Sequence, residues 1–301
     1  MEKKETRLLA KHFISAIVTD LSSLNGTQFE DVNSIVQSEY DYSYSAYAPS
    51  NDINGGILSE LDVFNAHFAL ADFFVSTGEQ ARYGILNFGL LSSAVARQFV
   101  GYGNDCKWKD NESKVSTLAF GLDKNHAFID GNKRTALLCM LLALHRNKRY
   151  LICKKNKLET LLVRIAANEM DKYSDFKRFK KHGDDAIIVY MANFLRKNSR
   201  KIDNTFRTMT YEEFNRKLKV YGVRLDNAQG AYIDVLQIRE ERKIFGLIKK
   251  TKEERKLQIG FPGWKRQINP KAVKNILKIC NLFEKGLDMK TFYEGGNQNI
   301  N

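Results

Sequence analysis

Apolar residues recur at helical spacing along much of the first two hundred positions. Near the start of the chain, residues 5–23 place seven apolar side chains on one side of a helical wheel, which predicts an amphipathic helix. The polar stretch 24–56 lacks this period, so we expect a connection there with one short helix near Asp31–Ser38. These segments form the first predicted region, an N-terminal helix and linker over residues 1–56.

From residue 57 the helical pattern dominates and strand-like alternation is scarce. Helices are predicted at Leu61–Val75, Phe88–Phe99, Lys114–Lys124, Gly131–Arg146, Leu158–Met170 and Asp185–Leu195. A glycine-punctuated loop, Ser76–Gly84, separates the first two. The pattern therefore predicts an all-helical domain over residues 57–196.

After residue 208 the pattern changes. Tyr211–Val220 predicts a helix, and Asn269 and Pro270 mark the start of a second helix as its N-cap and first residue. Three strands are predicted between them, at Ala231–Ile238, Lys243–Leu247 and Lys256–Phe261. The expected fold is thus mainly α, followed by a small α+β domain of order α-β-β-β-α at residues 209–290.

Composition indicates the cellular compartment and the distribution of charge. The four cysteines are scattered without a CxxC pair or a nearby histidine, so neither a zinc site nor a disulfide framework is supported. No apolar run approaches the roughly 18 residues that span a bilayer, and we expect a soluble, cytoplasmic protein without a membrane partner. Of the net charge of +13, an excess of nine lies in residues 201–301. Such a patch suits RNA, DNA or an acidic protein surface, and solvated lysines explain it equally well.

The candidate chemistry lies in the stretch His126 to Arg134, a loop that runs into an apolar helix. The first turn of that helix presents free N–H groups from about Gly131 to Lys133, and its dipole favours an anion there. Asn132 can donate to phosphate oxygens, while Lys133 and Arg134 add positive charge.

An acid and a histidine complete this pattern. Asp130 is unexpected beside a phosphate site unless Mg²⁺ lies between them, since Mg²⁺ is commonly held by one or two carboxylates plus substrate phosphates. An imidazole can act as a general base, and His126 lies a few residues upstream. The other histidines, including His67, have no partner at useful spacing and are interpreted as structural or surface residues.

The stretch His126-x-Phe128-x-Asp130-Gly131-Asn132-x-Arg134 resembles the HxFx(D/E)GNxR motif of the Fic/Doc (Fido) superfamily. The form Asn-Lys-Arg-Thr-Ala at 132–136 is similar to the death-on-curing (Doc) toxin branch. A second segment, 83–97, is similar to a segment of that branch. The likeness covers roughly residues 57–196.

The resemblance implies a role for each matching position. His126 would activate a target hydroxyl, Asp130 would bind Mg²⁺, and Gly131 to Lys133 would form the anion hole. Asn132, Lys133 and Arg134 would contact the phosphates of ATP, and Phe128 would anchor the loop. Lys124, two residues before the histidine, is a weaker candidate for a phosphate contact.

Two departures bear on the reaction. Adenylylating members carry Gly where Lys133 stands and a second Arg where Leu137 stands. The Doc resemblance therefore implies a Ser/Thr protein kinase that transfers a phosphoryl group from Mg-ATP, with a translation factor such as elongation factor Tu as target. Because Gly131 is typical of Fic members, adenylyl transfer stays open. An inactive Fido scaffold with a nucleic-acid-binding module is a third interpretation.

Control and further binding are also expected. The autoinhibitory (S/T)xxxE(G/N) motif of the family is not found, so control would come from a separate antitoxin or from the first 56 residues. Residues 209–285 are faintly similar to HicA-like or double-stranded-RNA-binding modules. Since no histidine follows His182, this part would bind RNA, DNA or protein rather than cleave.

Overall fold

The computed structural model describes residues 34–76, 82–102, 105–153, 155–242, 249–280, 282 and 288–294. The helix predicted over residues 5–23 and the strand predicted at Lys243–Leu247 lie outside them, as do residues 77–81 of the predicted loop. The described residues fall into two compact units, 34–201 and 202–294.

The first unit is helical. Its α-helices are α1 (Ser34–Tyr47), α2 (Glu60–Ser76), α3 (Phe88–Ala96), α4 (Asn111–Asn125), α5 (Asn132–Arg146), α6 (Lys155–Ala166) and α7 (Ala186–Asn198). Short 3-10 segments follow α3 at Arg97–Phe99 and precede α7 at Met170–Lys172 and Ser174–Asp185. Two small antiparallel ladders join loops, β1 (Gly101–Tyr102) with β2 (Asp105–Cys106), and β3 (Arg149–Leu151) with β4 (Ser199–Lys201).

Helices α4 and α5 form the centre of this unit. Helix α4 starts where the Asp110 carboxylate accepts the Ser113 N–H, the N-cap bond that satisfies a free donor of the first turn. Helix α5 buries the continuous run 135–140, which contains only one polar residue, Thr135. Both helices are therefore held in place by their buried residues. The segment 126–131 joins them, so each of its ends is attached to a packed helix.

Helix α1 corrects the sequence interpretation. The stretch 24–56 was expected to be a connection with a short helix near Asp31–Ser38, yet α1 extends from Ser34 to Tyr47. Tyr40 packs edge-on against Phe64 and Phe68, and its hydroxyl donates to Asn65 Oδ1 at 2.9 Å. Contacts with α2 stabilise a helix whose own sequence is too polar and aromatic to show a clear period.

The second unit has the order α-β-β-β-α. It contains α8 (Tyr211–Lys219), β5 (Val223–Gln229), β6 (Tyr232–Arg242), β7 (Lys249–Gly260), α9 (Pro270–Ile279) and α10 (Met289–Tyr293). The sheet is antiparallel with order β5-β6-β7. Helix α8 begins with a capping box between Thr210 and Glu213, and Asn269 caps α9 as predicted.

The fold class predicted from the sequence is confirmed, but the strand positions are partly wrong. Strand β5 was missed, because only Val223 and Leu225 alternate before the segment becomes polar. Strands β6 and β7 are longer than expected, since a long hairpin pairs Arg242 with Lys249 at its far end. Within the described part of the chain, no helix is long and apolar enough to cross a bilayer.

Candidate active site

The loop from His126 to Gly131, here called the motif loop, joins α4 to α5. Its two ends have left-handed backbone, with φ of 52° at His126 and 76° at Gly131. The nearest atom to a Cβ built on Gly131 is Leu70 Cδ2 at 3.8 Å, so space does not forbid a side chain there. The positive φ is the physical reason for glycine at this end of the loop.

Backbone bonds fix the middle of the motif loop to the segment before α3. Ile85 and Phe128 form an antiparallel bridge. The Leu86 N–H donates to Ala127 O at 2.9 Å, and the Ile129 N–H donates to Gly84 O at 3.1 Å. Short as it is, the motif loop is held like a strand at an edge, which limits its motion.

Asn132 closes the motif loop from the other side. Its Oδ1 accepts the Phe128 N–H at 3.0 Å, and its Nδ2 donates to Phe128 O at 2.9 Å. An amide carries two N–H donors, so one hydrogen remains for a ligand. The phosphate contact expected of Asn132 stays a prediction, while its observed contacts give it a role in shaping the loop.

Phe128 and His67 form a buried pair beneath the motif loop. Their rings stack with centroids 4.0 Å apart, and both side chains are buried. His67 Nε2 accepts the Gly84 N–H at 3.2 Å, which leaves the proton on Nδ1 for the Thr135 hydroxyl at 3.1 Å. Burial lowers the pKa of His67 to about 3, against the opposing charge of Asp130, so the ring is neutral.

Sequence reasoning missed the importance of His67. Its partner Thr135 is 68 positions away, and Gly84 is 17 away, so no local spacing could reveal them. The one available signal was a histidine inside an apolar helix, where burial demands partners for both ring nitrogens.

The two basic residues of the motif have different surroundings. The Lys133 side chain is exposed in the first turn of α5. The Arg134 guanidinium lies 4.3 Å from the centre of the Phe74 ring, a cation–π contact that restricts where it points. Their contacts with phosphates stay predictions.

Asp130 is exposed, and its Oδ1 accepts the Gly131 N–H at 2.5 Å. Across the described ranges there is no group of three or more His, Cys, Asp or Glu side chains able to hold a metal ion. One exposed carboxylate still fits Mg²⁺, because this ion takes few protein ligands when phosphates and water supply the rest. The residues present are compatible with the predicted magnesium site, which stays a prediction.

The Lys124 side chain contacts the segment at the end of α6. Its amine donates to Asn168 Oδ1 at 2.6 Å and to Ala166 O at 3.3 Å, at the end of α6. The bond to Ala166 O satisfies a carbonyl at the C-terminal end of α6. A phosphate contact would require them to break, and that role also stays a prediction.

Asp123 is a site residue that the sequence did not single out. Its side chain is 1% exposed in the last turn of α4, and within the described residues neither carboxylate oxygen has a hydrogen-bond partner. Burial raises its pKa to about 6, although the charges of Lys133, Lys124 and His126 act in the opposite direction.

Comparison with known proteins agrees with this geometry. A sequence profile described as the Fic/DOC family matches residues 18–144, which include the motif loop. A protein named Toxin Doc from Mycolicibacterium smegmatis is 36% identical over 90 residues, which are 29% of this chain and 68% of that protein. No solved structure matches the chain. The chain belongs to the Fic/DOC family, and its likeness to a Doc protein supports the Doc branch.

Proposed function

We propose that this protein is a Doc-like toxin enzyme that transfers the γ-phosphoryl group of Mg-ATP to a Ser/Thr hydroxyl of a target protein. The observation that carries the proposal is the motif loop. It is fixed on one side by backbone hydrogen bonds and on the other by the Asn132 amide, and it leaves His126, Asp130 and Lys133 exposed around the start of α5.

The start of α5 suits the nucleotide phosphates. The Thr135 N–H makes a helical bond to Gly131 O at 2.7 Å, so the N–H groups of Asn132, Lys133 and Arg134 precede the first intrahelical donor. The helix dipole adds a partial positive charge at this point. Since the Gly131 N–H donates to Asp130, we place the anion hole at 132–134, one residue later than the sequence suggested.

The transfer itself needs little beyond positioning and charge neutralisation. His126 takes the proton of the target hydroxyl, the hydroxyl oxygen bonds to the γ-phosphorus, and the bond to the bridging oxygen breaks. Lys133 and Arg134 stabilise the charge on the phosphoryl oxygens. Asp130 would hold a magnesium ion, which would supply positive charge against the phosphates.

Leu137 favours phosphoryl over adenylyl transfer. Its side chain is buried, so the position that carries an arginine in adenylylating members contributes to packing in this chain. Lys133 adds bulk and charge in the first turn of α5. Adenylyl transfer is the second candidate, because the glycine at position 131 is typical of Fic members.

The decisive experiment uses ATP labelled at either the α- or the γ-phosphate. Purified protein is incubated with each label, with Mg²⁺ and with cell lysate or elongation factor Tu, and labelled bands are compared. Label from the γ-position alone supports the proposal. Label from the α-position supports adenylyl transfer. Label from neither position above the His126→Ala blank supports an inactive scaffold.

The partners proposed for this protein follow from the Doc likeness and from charge. A relative named as a toxin suggests a toxin-antitoxin pair, so we include a separate antitoxin protein as a partner. The second unit is proposed to bind RNA, DNA or protein. Arg224 pairs there with Asp226 and Glu253, and Arg255 pairs with Asp234, so acids neutralise part of the basic charge on its sheet.

A further inference from the structure

The proposed transfer does not use Asp123, although the residue lies three positions before His126. A buried carboxylate without hydrogen bonds is costly, and an acid in the last turn of a helix also opposes the helix dipole. Neither cost is explained by packing, because an apolar residue would fill the same place without them. Such a group calls for a reason other than stability.

Among the described residues, three positive or protonatable groups act electrostatically on this carboxylate. They are Lys133 in the first turn of α5, Lys124 next to Asp123, and His126 at the end of α4. The Lys124 amine already has two acceptors, Asn168 Oδ1 and Ala166 O. Lys133 and His126 therefore remain as the groups with which the Asp123 carboxylate could pair.

His126 is the better of the two partners. Lys133 is exposed beside the expected phosphates, and its ammonium group would form ion pairs with them. The His126 backbone is fixed in a left-handed conformation, yet within the described residues no hydrogen bond orients its ring. A general base normally has its ring oriented by a third group. Asp123 lies in the last turn of α4, three residues before His126, and the two side chains interact electrostatically.

We propose that Asp123 is a positioning residue for His126. In the nucleotide-bound protein its carboxylate accepts a hydrogen bond from one ring N–H, which turns the other ring nitrogen towards the target hydroxyl. That nitrogen takes the hydroxyl proton as the oxygen–phosphorus bond forms and ADP leaves with the electrons of the broken bond. Asp123 keeps its charge and stabilises the imidazolium. This inference rests on the proposed phosphoryl transfer.

The kinetic test uses Asp123→Asn, which keeps the shape of the side chain and removes its charge. With γ-labelled ATP we expect kcat to fall about 100-fold, the scale of general-base catalysis, while KM for ATP is unchanged. Asp105→Asn, a change at a strongly exposed acid, is the matched control. A higher KM at unchanged kcat would mean that Asp123 acts on Lys133, and unchanged values of both would mean no role; either result overturns the proposal.

A second readout does not depend on activity. Nitrogen NMR of the full chain, with Mg²⁺ and a non-hydrolysable ATP analogue, reports which ring nitrogen of His126 carries the proton, and His126→Gln identifies its signal. We expect one tautomer in the wild type and a mixture in Asp123→Asn, with Asp123→Ala as a second variant if the first does not fold. Identical spectra would overturn the pairing. If the wild type labels no target but the spectra differ, the proposed phosphoryl transfer is wrong while the Asp123–His126 hydrogen bond is supported.

Discussion

The His67 ring stacks on the Phe128 ring at 4.0 Å with an angle of 12° between the planes. The same histidine contacts Gly84 and Thr135 through its two nitrogens. One buried side chain on α2 thereby supports the motif loop from below and joins it to α5 and to the segment before α3.

We predict that His67→Phe weakens both stability and activity. The phenyl ring can still stack on Phe128, but the Gly84 N–H and the Thr135 hydroxyl lose their buried partner, which costs about 1–3 kcal/mol for such a group. Urea unfolding followed by Trp108 fluorescence in a Trp264→Phe background measures the first unit. The exposed His182→Phe change is the control, and equal unfolding midpoints for the two variants would contradict the role of His67.

We predict that His126→Asn abolishes target labelling and growth arrest while the fold is kept. General-base catalysis contributes roughly 10²- to 10⁴-fold, and the exposed ring adds little packing. Asparagine tolerates the φ of 52° at this position better than alanine, so it isolates the chemistry from backbone strain. Label transfer and circular dichroism are measured together. Wild-type labelling by this variant would exclude His126 as the base.

Asp130→Asn tests the magnesium assignment. We expect transfer to fall at low Mg²⁺ and to recover partly as Mg²⁺ rises, because one anionic ligand has been replaced by a neutral one. Labelling rates are compared across a Mg²⁺ titration, with Asp105→Asn as the control. An unchanged Mg²⁺ dependence would show that Asp130 does not bind the ion.

Asp123 should make stability depend on pH in a defined direction. Its folded pKa of about 6 lies above the ordinary 3.8, so folding favours the protonated acid. The Asp123 carboxyl therefore lowers the free energy of unfolding at neutral pH, by at most about 3 kcal/mol. This effect is absent below about pH 4, grows as the pH rises to about 6 and is then constant. Asn resembles the protonated acid, so Asp123→Asn should raise the free energy of unfolding at pH 7.

Urea unfolding at pH 7 and pH 4.5 checks this, with the Trp108 signal as reporter. The gain from Asp123→Asn over the wild type should be larger at pH 7 and shrink as the pH falls. Comparing the two proteins at each pH removes the contribution of the other acids. A gain that is independent of pH would mean that the Asp123 carboxyl does not change its charge in this range.

The second unit allows a test of nucleic-acid binding. If its excess of basic residues binds RNA or DNA, affinity should fall steeply between about 50 and 200 mM salt, as counterion release requires. Replacing the exposed Lys265 and Arg266 with alanine should weaken binding and flatten the salt dependence. Filter binding with the full chain measures both. No binding at low salt would leave protein docking as the proposed role.

The sequence determined most of the helices and the chemical character of the site. The periodic run of α5 and the caps at Thr210 and Asn269 are local signals, so they could be read directly. The motif from His126 to Arg134 named the family because six residue types are fixed within nine positions. The local pattern did not predict β5 or the full length of α1, because contacts between distant segments stabilise these elements despite weak propensity.

Only the tertiary structure decided how the motif loop is held. His67 and Thr135 lie far apart in the chain, and Asn132 binds the backbone of Phe128, so neither relationship follows from spacing. Asp123 is an ordinary polar residue in the sequence and becomes notable only because folding removes it from water without giving it a hydrogen-bond partner among the described residues. Burial and long-range contact are properties of the packed chain, since they depend on which helices meet.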